Sequence, residues 1–555
     1  MKLSRFALVA LLVFTVVPAY AVIHDPRAIE ADPLQATGPI APRLSGLGDH
    51  SRTVTTLIPD SQYFFNQGLR LTYGFNHSEA LRSFKEAVRL DPDNAMAYWG
   101  WALVLGPNIN LPMRPEVNAQ AFDAIQMAMT LRDKVSPAER AYIEALARRY
   151  APVAPDDRSS LDAAYMQAMA ELVARYPDDL DAGTLYGASI MNLSPWDYWN
   201  GDGSPKPNTA VLLDMLQSVV DRDPQHPGAL HYYIHTVEAV HPGRGEDAAD
   251  ELLKLMPGVG HMVHMPSHIY MRVGRYADSF RVNRLASDAD SGYIAQCRAQ
   301  GIYPLNYYPH NLHFLVWSAM FQGRSEAALA GAREVQEKVP VDMNGNAFGA
   351  YETWLSQPLY VMVRFGLWEQ VLAEPKPVAG NQFMTGVWHY ARGMAFSNTS
   401  KERSARRELA ALQSLRDDLG DDYGIGFGTA PTLLTIAELV LAGDIAAKDG
   451  EFTAAITSLE RASRLEDSMR YNEPPDWYFP TRHVLGALLL EAGYPNEAVV
   501  IYWEDLRKSP ANGYSLFGLQ QALEALGDTA QAARMGEKFA VAWSAADVQL
   551  TSSRF

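Results

Sequence analysis

From Ser61 onward, apolar and small residues recur at the three-to-four-residue spacing of amphipathic helices, and alternating strand patterns are scarce. The helical stretches repeat. Gly68, Ala80, Phe84, Ala87 and Pro92 stand at fixed offsets, and Gly486, Ala498, Tyr502 and Pro510 reproduce the glycine, alanine, aromatic and proline offsets. Gly443, Ala455, Leu459 and Ala462 form a weaker third copy. The offsets describe a helical hairpin: small residues let two helices approach, an aromatic fills the gap, and proline stops the second helix. The chain is therefore expected to be all-α.

The repeat resembles the tetratricopeptide repeat, a helix-turn-helix unit of about 34 residues. Residues 61–94 and 479–512 carry the clearest copies, and the resemblance spans 60–545. It implies a right-handed α-solenoid of divergent hairpins, about ten or more at this period. Gly274-Arg275-Tyr276, Gly323-Arg324-Ser325 and Gly366-Leu367-Trp368 read as hairpin turns. Ser136-Pro137-Ala138-Glu139 reads as a capping box, and Pro177, Pro224 and Pro340 sit where helices should end. Two turn-rich segments interrupt the repeat: 193–207, with Trp196-Asp197-Tyr198-Trp199, and 421–431, with Gly424-Ile425-Gly426-Phe427-Gly428. The latter lacks the strand before it and the Lys-Ser/Thr after it that a phosphate loop needs. The expected organisation is a signal peptide 1–21, an irregular arm 22–57, a solenoid 58–420, a linker 421–431 and C-terminal repeats 432–555.

The start of the chain is read as an address. Lys2 and Arg5 precede a short apolar run, Phe6 to Val17, and Ala19-Tyr20-Ala21 supplies small residues for cleavage after Ala21. The expected location is periplasmic or secreted. No later uninterrupted apolar run reaches spanning length, so no transmembrane span is expected in the mature chain. The formal charge is −17, and loss of Lys2 and Arg5 would make it −19. That balance argues against nucleic acid as a partner. One cysteine, Cys297, excludes an internal disulfide framework and a cysteine-based zinc module.

Histidine carries the chemistry. Nine of the fourteen histidines lie between His226 and His313. His231 and His235 are four apart and Glu238 follows, so a helix places all three on one stripe. His261 and His264 lie 13 and 10 residues before Gly274, and His310 and His313 lie 13 and 10 before Gly323. By the resemblance these positions, with His268, face the concave ligand groove. Pro266 either interrupts a helix or opens one, which decides which imidazoles pair. Three readings stay open: a groove holding a protein, peptide or small ligand through histidine hydrogen bonds, a transition-metal site, and structural histidines. The groove reading leads and makes the protein a binding scaffold. In the metal reading the ligands are His231, His235, Glu238, His264 and His268, and the ion is copper, iron or zinc, with Met262 and Met265 favouring copper. Asn108, Asn110 and Asp197 are added to the groove. No residue is assigned a catalytic role, and whether the protein is an enzyme stays open.

The strings His231-Tyr232-Tyr233-Ile234-His235, His264-Met265-Pro266-Ser267-His268 and Tyr308-Pro309-His310-Asn311 resemble those of exported bacterial tetratricopeptide-repeat proteins. Glu473-Pro474-Pro475-Asp476-Trp477-Tyr478 belongs to the same resemblance, which implies no activity.

Overall fold

The computed structural model describes residues 25–299, 303–345, 347 and 351–555. The signal segment 1–21 and the first residues of the arm lie outside them. Twelve helical hairpins follow one another, from Pro59–Tyr73 on His77–Leu90 to Gly513–Ala525 on Thr529–Ala542, each helix packed on its neighbours in sequence. The architecture is an all-α solenoid of tetratricopeptide-like hairpins. Among the described residues the only strands are Gly424–Ile425 and Gly428–Thr429, paired antiparallel.

The repeat offsets have a direct steric cause. Phe84 is fully buried between two first helices: a Cβ on Gly68 would lie 2.7 Å from its ring, and one on Gly100 2.3 Å. Tyr502 is wedged in the same way between Gly486 and Gly518, at 2.5 and 2.2 Å. The turn glycines Gly274, Gly323 and Gly366 take φ of 84°, 69° and 65°, the left-handed region that ends a helix at least cost. The capping box between Ser136 and Glu139 forms with Pro137 in the first turn. Helices end at Arg175, Arg222 and Lys338, just before Pro177, Pro224 and Pro340.

The arm is irregular but held. After the short helix Pro26–Glu30, Lys85 Nζ donates to the carbonyls of Ala28, Ile29 and Ala31 at 2.7, 2.9 and 2.8 Å. Arg52 forms an ion pair with Asp179 at 2.8 Å, across the first repeats.

The solenoid curls back on itself. Asp547 accepts the backbone N–H groups of Ser325 and Glu326 at 2.7 and 3.0 Å, and Arg364 donates to His483 Nδ1 at 2.7 Å. Arg470 donates to the Pro195 carbonyl at 3.2 Å. The C-terminal repeats thereby roof the histidine-bearing middle. Residues 421–431, read as a linker, place Ile425 and Ala430 fully buried in a core that runs from Leu359 to Met535, while Asp421, Asp422, Gly424, Gly426 and Phe427 stay exposed. The glycines that argued for a linker serve a tight hairpin, in which Gly426 takes φ 58° beside Asp476. Ala430–Lys448 is long and apolar enough to cross a membrane, although Glu438 and Asp444 interrupt its apolar run; two thirds of its apolar stretch is buried inside the protein.

Candidate metal centre

Three hairpins bring the imidazoles together. The Pro227–Val237 helix carries His231 and His235, with Glu238 as its C-cap. Pro266 divides the next first helix into Gly260–His264 and Pro266–Val273, with Met265 helical at the junction. Proline at the start of the second piece costs little, since its missing N–H needs no partner there. His261 and His264 therefore precede the joint, and His268 lies one turn beyond His264. The Tyr308–Phe321 helix adds His310. A close approach at Gly260 seats the His261 helix: a Cβ there would meet Asp290 Oδ1 at 1.9 Å.

Six histidines form two triads. In His231, His235 and His261 the candidate ligand atoms lie within 4.8 Å of one another, and so do those of His264, His268 and His310. Three of the six have Nδ1 hydrogen-bonded to an acceptor, and a fourth, His268, holds Nδ1 against two carboxylates. His231 Nδ1 donates to the Tyr73 carbonyl at 2.6 Å, a group left free at a helix C-terminus. His264 Nδ1 donates to Asn283 Oδ1 at 2.6 Å, while Asn283 Nδ2 donates to the Ser279 carbonyl. His235 Nδ1 lies 3.3 Å from Glu238 Oε1. His268 Nδ1 lies 2.8 Å from Glu238 Oε2 and 3.1 Å from Glu473 Oε2, ion-pair contacts poorly aligned for hydrogen bonding. An imidazole that spends its proton at Nδ1 presents a lone pair at Nε2. Those Nε2 lone pairs accept from a neighbouring imidazole, His264 from His268 at 2.9 Å and His231 from His261 at 3.2 Å, and a bound metal ion would take the place of the shared proton.

The shell around them is aromatic. Phe75 packs on His231, His235 and His261, with ring centroids 4.5, 6.1 and 5.6 Å away, and holds a left-handed φ of 53°. Phe314 packs on His264, His268 and His310 at 4.7, 4.6 and 5.0 Å. Burial holds His231, His261, His264 and His310 well below the ordinary imidazole range, so each is neutral. At His268 burial also opposes charge, but the Glu238 and Glu473 carboxylates outweigh it and push the imidazole up to about 9. His235 Nε2, Glu238 Oε2, His261 Nδ1 and both Glu473 oxygens are buried without a hydrogen-bond partner.

The geometry rearranges the residues singled out from sequence. Of the five residues taken as one metal set, His231 and His235 fall in the first triad, His264 and His268 in the second, and Glu238 in neither; His235, Glu238 and His268 also bring their ligand atoms within 4.8 Å of one another. His261 and His310, taken only as groove residues, complete the two triads. Glu238 sits behind the imidazoles and orients one from each triad. His313 lies on the cavity wall outside the triads, and burial pushes it down to about 3. Asn110 donates to Tyr307 Oη at 3.0 Å and accepts from Trp196 Nε1 at 3.1 Å, so it braces the cavity wall. Asn108 turns away to His77, 3.3 Å off, and Asp197 pairs with Lys206 at 2.5 Å on the rim of a larger cleft. Met262 and Met265 are buried in the hydrophobic core, where they pack rather than offer sulfur. Glu473 was missed. It stands more than 200 residues from His268, and only its place in the Glu473-Pro474-Pro475-Asp476 string marked it.

A further cluster, His50, Asp181 and His226, meets the same distance criterion but not the chemistry. His226 Nδ1 accepts the Ala229 N–H at 3.2 Å, so its proton sits on Nε2, facing Asp181 Oδ1 at 3.3 Å. Tyr73 Oη and His50 Nε2 also contact that oxygen, at 2.5 and 3.0 Å, and Arg52 reaches Oδ2 at 3.3 Å. This carboxylate is already satisfied, and the cluster ties the arm to the solenoid.

Two cavities reach the triads. A cleft of about 750 Å³ touches His235, Glu238 and Glu473. A smaller cavity of about 290 Å³ is lined by His235, His261, His268 and His310 together with Tyr307 and Phe427.

No family model matches the chain, and no curated protein matches it. Among solved structures, a human IFIT1 dimer with m7Gppp-AAAA is similar at 13% identity, over 89% of this chain and 92% of that one, with a TM-score of 0.30. Yeast Tom70 is similar at 11% identity, over 87% and 90%, with a TM-score of 0.28. The Naa15/Naa10 complex bound to HypK-THB gives 12% identity, 87% and 70%, and 0.21. Scores at this level bring nothing to the reading of the site.

Proposed function

We propose that the protein is a metalloprotein, a helical-repeat scaffold that holds a transition-metal ion among histidines and opens it to a cleft. The observation that carries this is the His264–His268 pair, with Nε2 atoms 2.9 Å apart, His264 Nδ1 bonded to Asn283 and His268 Nδ1 2.8 Å from the Glu238 carboxylate. Two nitrogens bound about 2.0–2.1 Å from one ion, at angles of about 90–110°, lie about 2.9–3.4 Å apart. Nitrogen-only donors with carboxylates behind them suit zinc, copper or iron, and the buried methionines remove the argument for copper in particular. The amino-terminal segment fits export, with the mature chain starting at Val22, as N-terminal sequencing of the exported form would show.

The test is metal content. Purified mature protein, dialysed against buffer without chelator, should retain zinc, copper or iron in stoichiometric amount by mass spectrometry. His264→Ala should bind less metal than the unaltered protein, and His389→Ala, outside the centre, should bind as much. Metal-free protein that takes up none of the three ions would refute the reading. The scaffold reading keeps one specific support, the cleft of about 750 Å³ beside the triads, with room for a peptide or small ligand.

A further inference from the structure

The two triads share no residue with each other, although His235, Glu238 and His268 form a third set that overlaps both, and each triad has the three protein ligands that leave a metal ion an open position. They also adjoin. His261 and His264 have ring centroids 5.9 Å apart, and His235 and His268 5.5 Å, little more than the 4.9 and 4.8 Å of His231–His235 and His264–His268 within a triad. One carboxylate serves both: Glu238 Oε1 faces His235 and Oε2 faces His268. The 290 Å³ cavity is walled by two imidazoles of each triad, so the open positions of both face one space.

We infer that the centre is dinuclear, with one transition-metal ion on His231, His235 and His261, a second on His264, His268 and His310, and Glu238 positioning an imidazole of each. This rests on the metal reading above and adds the second ion and its neighbour. Two adjacent dications repel, and the buried Glu238 and Glu473 bring negative charge to offset that repulsion. The shared space suits a small bridging ligand, hydroxide or another monoanion, held by both ions at once, as in two-metal sites generally.

The experiment titrates metal-free full-length mature protein with Cu(II), reading bound metal after gel filtration and integrating the electron paramagnetic resonance signal. Two equivalents should bind, with an integrated intensity well below two spins per chain because neighbouring ions couple. His231→Ala and His310→Ala should each bind one equivalent and give a full single-spin signal, with far-UV circular dichroism confirming the fold. Saturation of the unaltered protein at one equivalent would overturn the dinuclear inference and leave the metal reading standing. Two equivalents with two independent spins would also overturn it, since the ions would not be neighbours. No bound copper, zinc or iron would remove both readings.

Discussion

Glu238 is the residue at which the two halves of the centre can be separated. Replaced by leucine, it loses both oxygens in a fully enclosed position, and the imidazoles respond differently. His268 Nδ1 keeps an ion-pair contact with Glu473 Oε2 at 3.1 Å, whereas among the described residues His235 Nδ1 is hydrogen-bonded to Glu238 alone. His235 is then free to carry its proton on Nε2, where it blocks the lone pair a metal needs. Loss of such an orienting partner costs about 10–100-fold in metal affinity, or about 1.4–2.7 kcal/mol at 1.36 kcal/mol per tenfold. The loss should fall on the His231–His235–His261 triad. Glu238→Gln should cost less, because its single oxygen can stay with His235 while Glu473 serves His268. Competition between the protein and a chromophoric zinc chelator measures the two steps, and melting of the metal-free variants checks that the fold survives. Affinities within threefold of the unaltered protein in Glu238→Leu would refute the orienting role.

Other expectations concern packing and pH. Gly518→Ala drives a methyl to 2.2 Å from the Tyr502 ring and should cost about 1–3 kcal/mol in urea denaturation. In Gly518→Ala with Tyr502→Leu the two costs should fall short of their sum, and strict additivity would show that the wedge is not a contact. Asp290 is buried, and burial raises it to about 7 against its bonds from Tyr303 and Asn311. Its unfolded value is about 3.9. Between these values the native state binds the extra proton, so this group's contribution falls as pH rises from about 4 to 7, by at most about 4 kcal/mol. Asp290→Asn lacks that loss. Its stability relative to the unaltered protein should therefore be higher at pH 7.5 than at pH 4.5, and a difference that does not change with pH would contradict the assignment.

The sequence by itself determined the local physics. Glycine, alanine, aromatic and proline at constant offsets specify hairpins because the interhelical gap next to Gly68 or Gly486 accepts only a neighbour's ring. The turns at Gly274, Gly323 and Gly366 and the cap at Ser136 were equally legible, since each depends on a few adjacent residues. The one-stripe placement of His231, His235 and Glu238 followed from helical periodicity alone. What the pattern could not supply was the partition of the histidines. Pro266 left two local geometries open, and only the tertiary structure shows the one that brings His261 to His231 of the preceding repeat while His264 meets His268. Nor did it show Glu473 beside His268, or Phe427 on the wall of the cavity. Those contacts depend on the curl of the whole solenoid. Small rotations between successive hairpins accumulate over the array, and no local stretch of sequence encodes their sum.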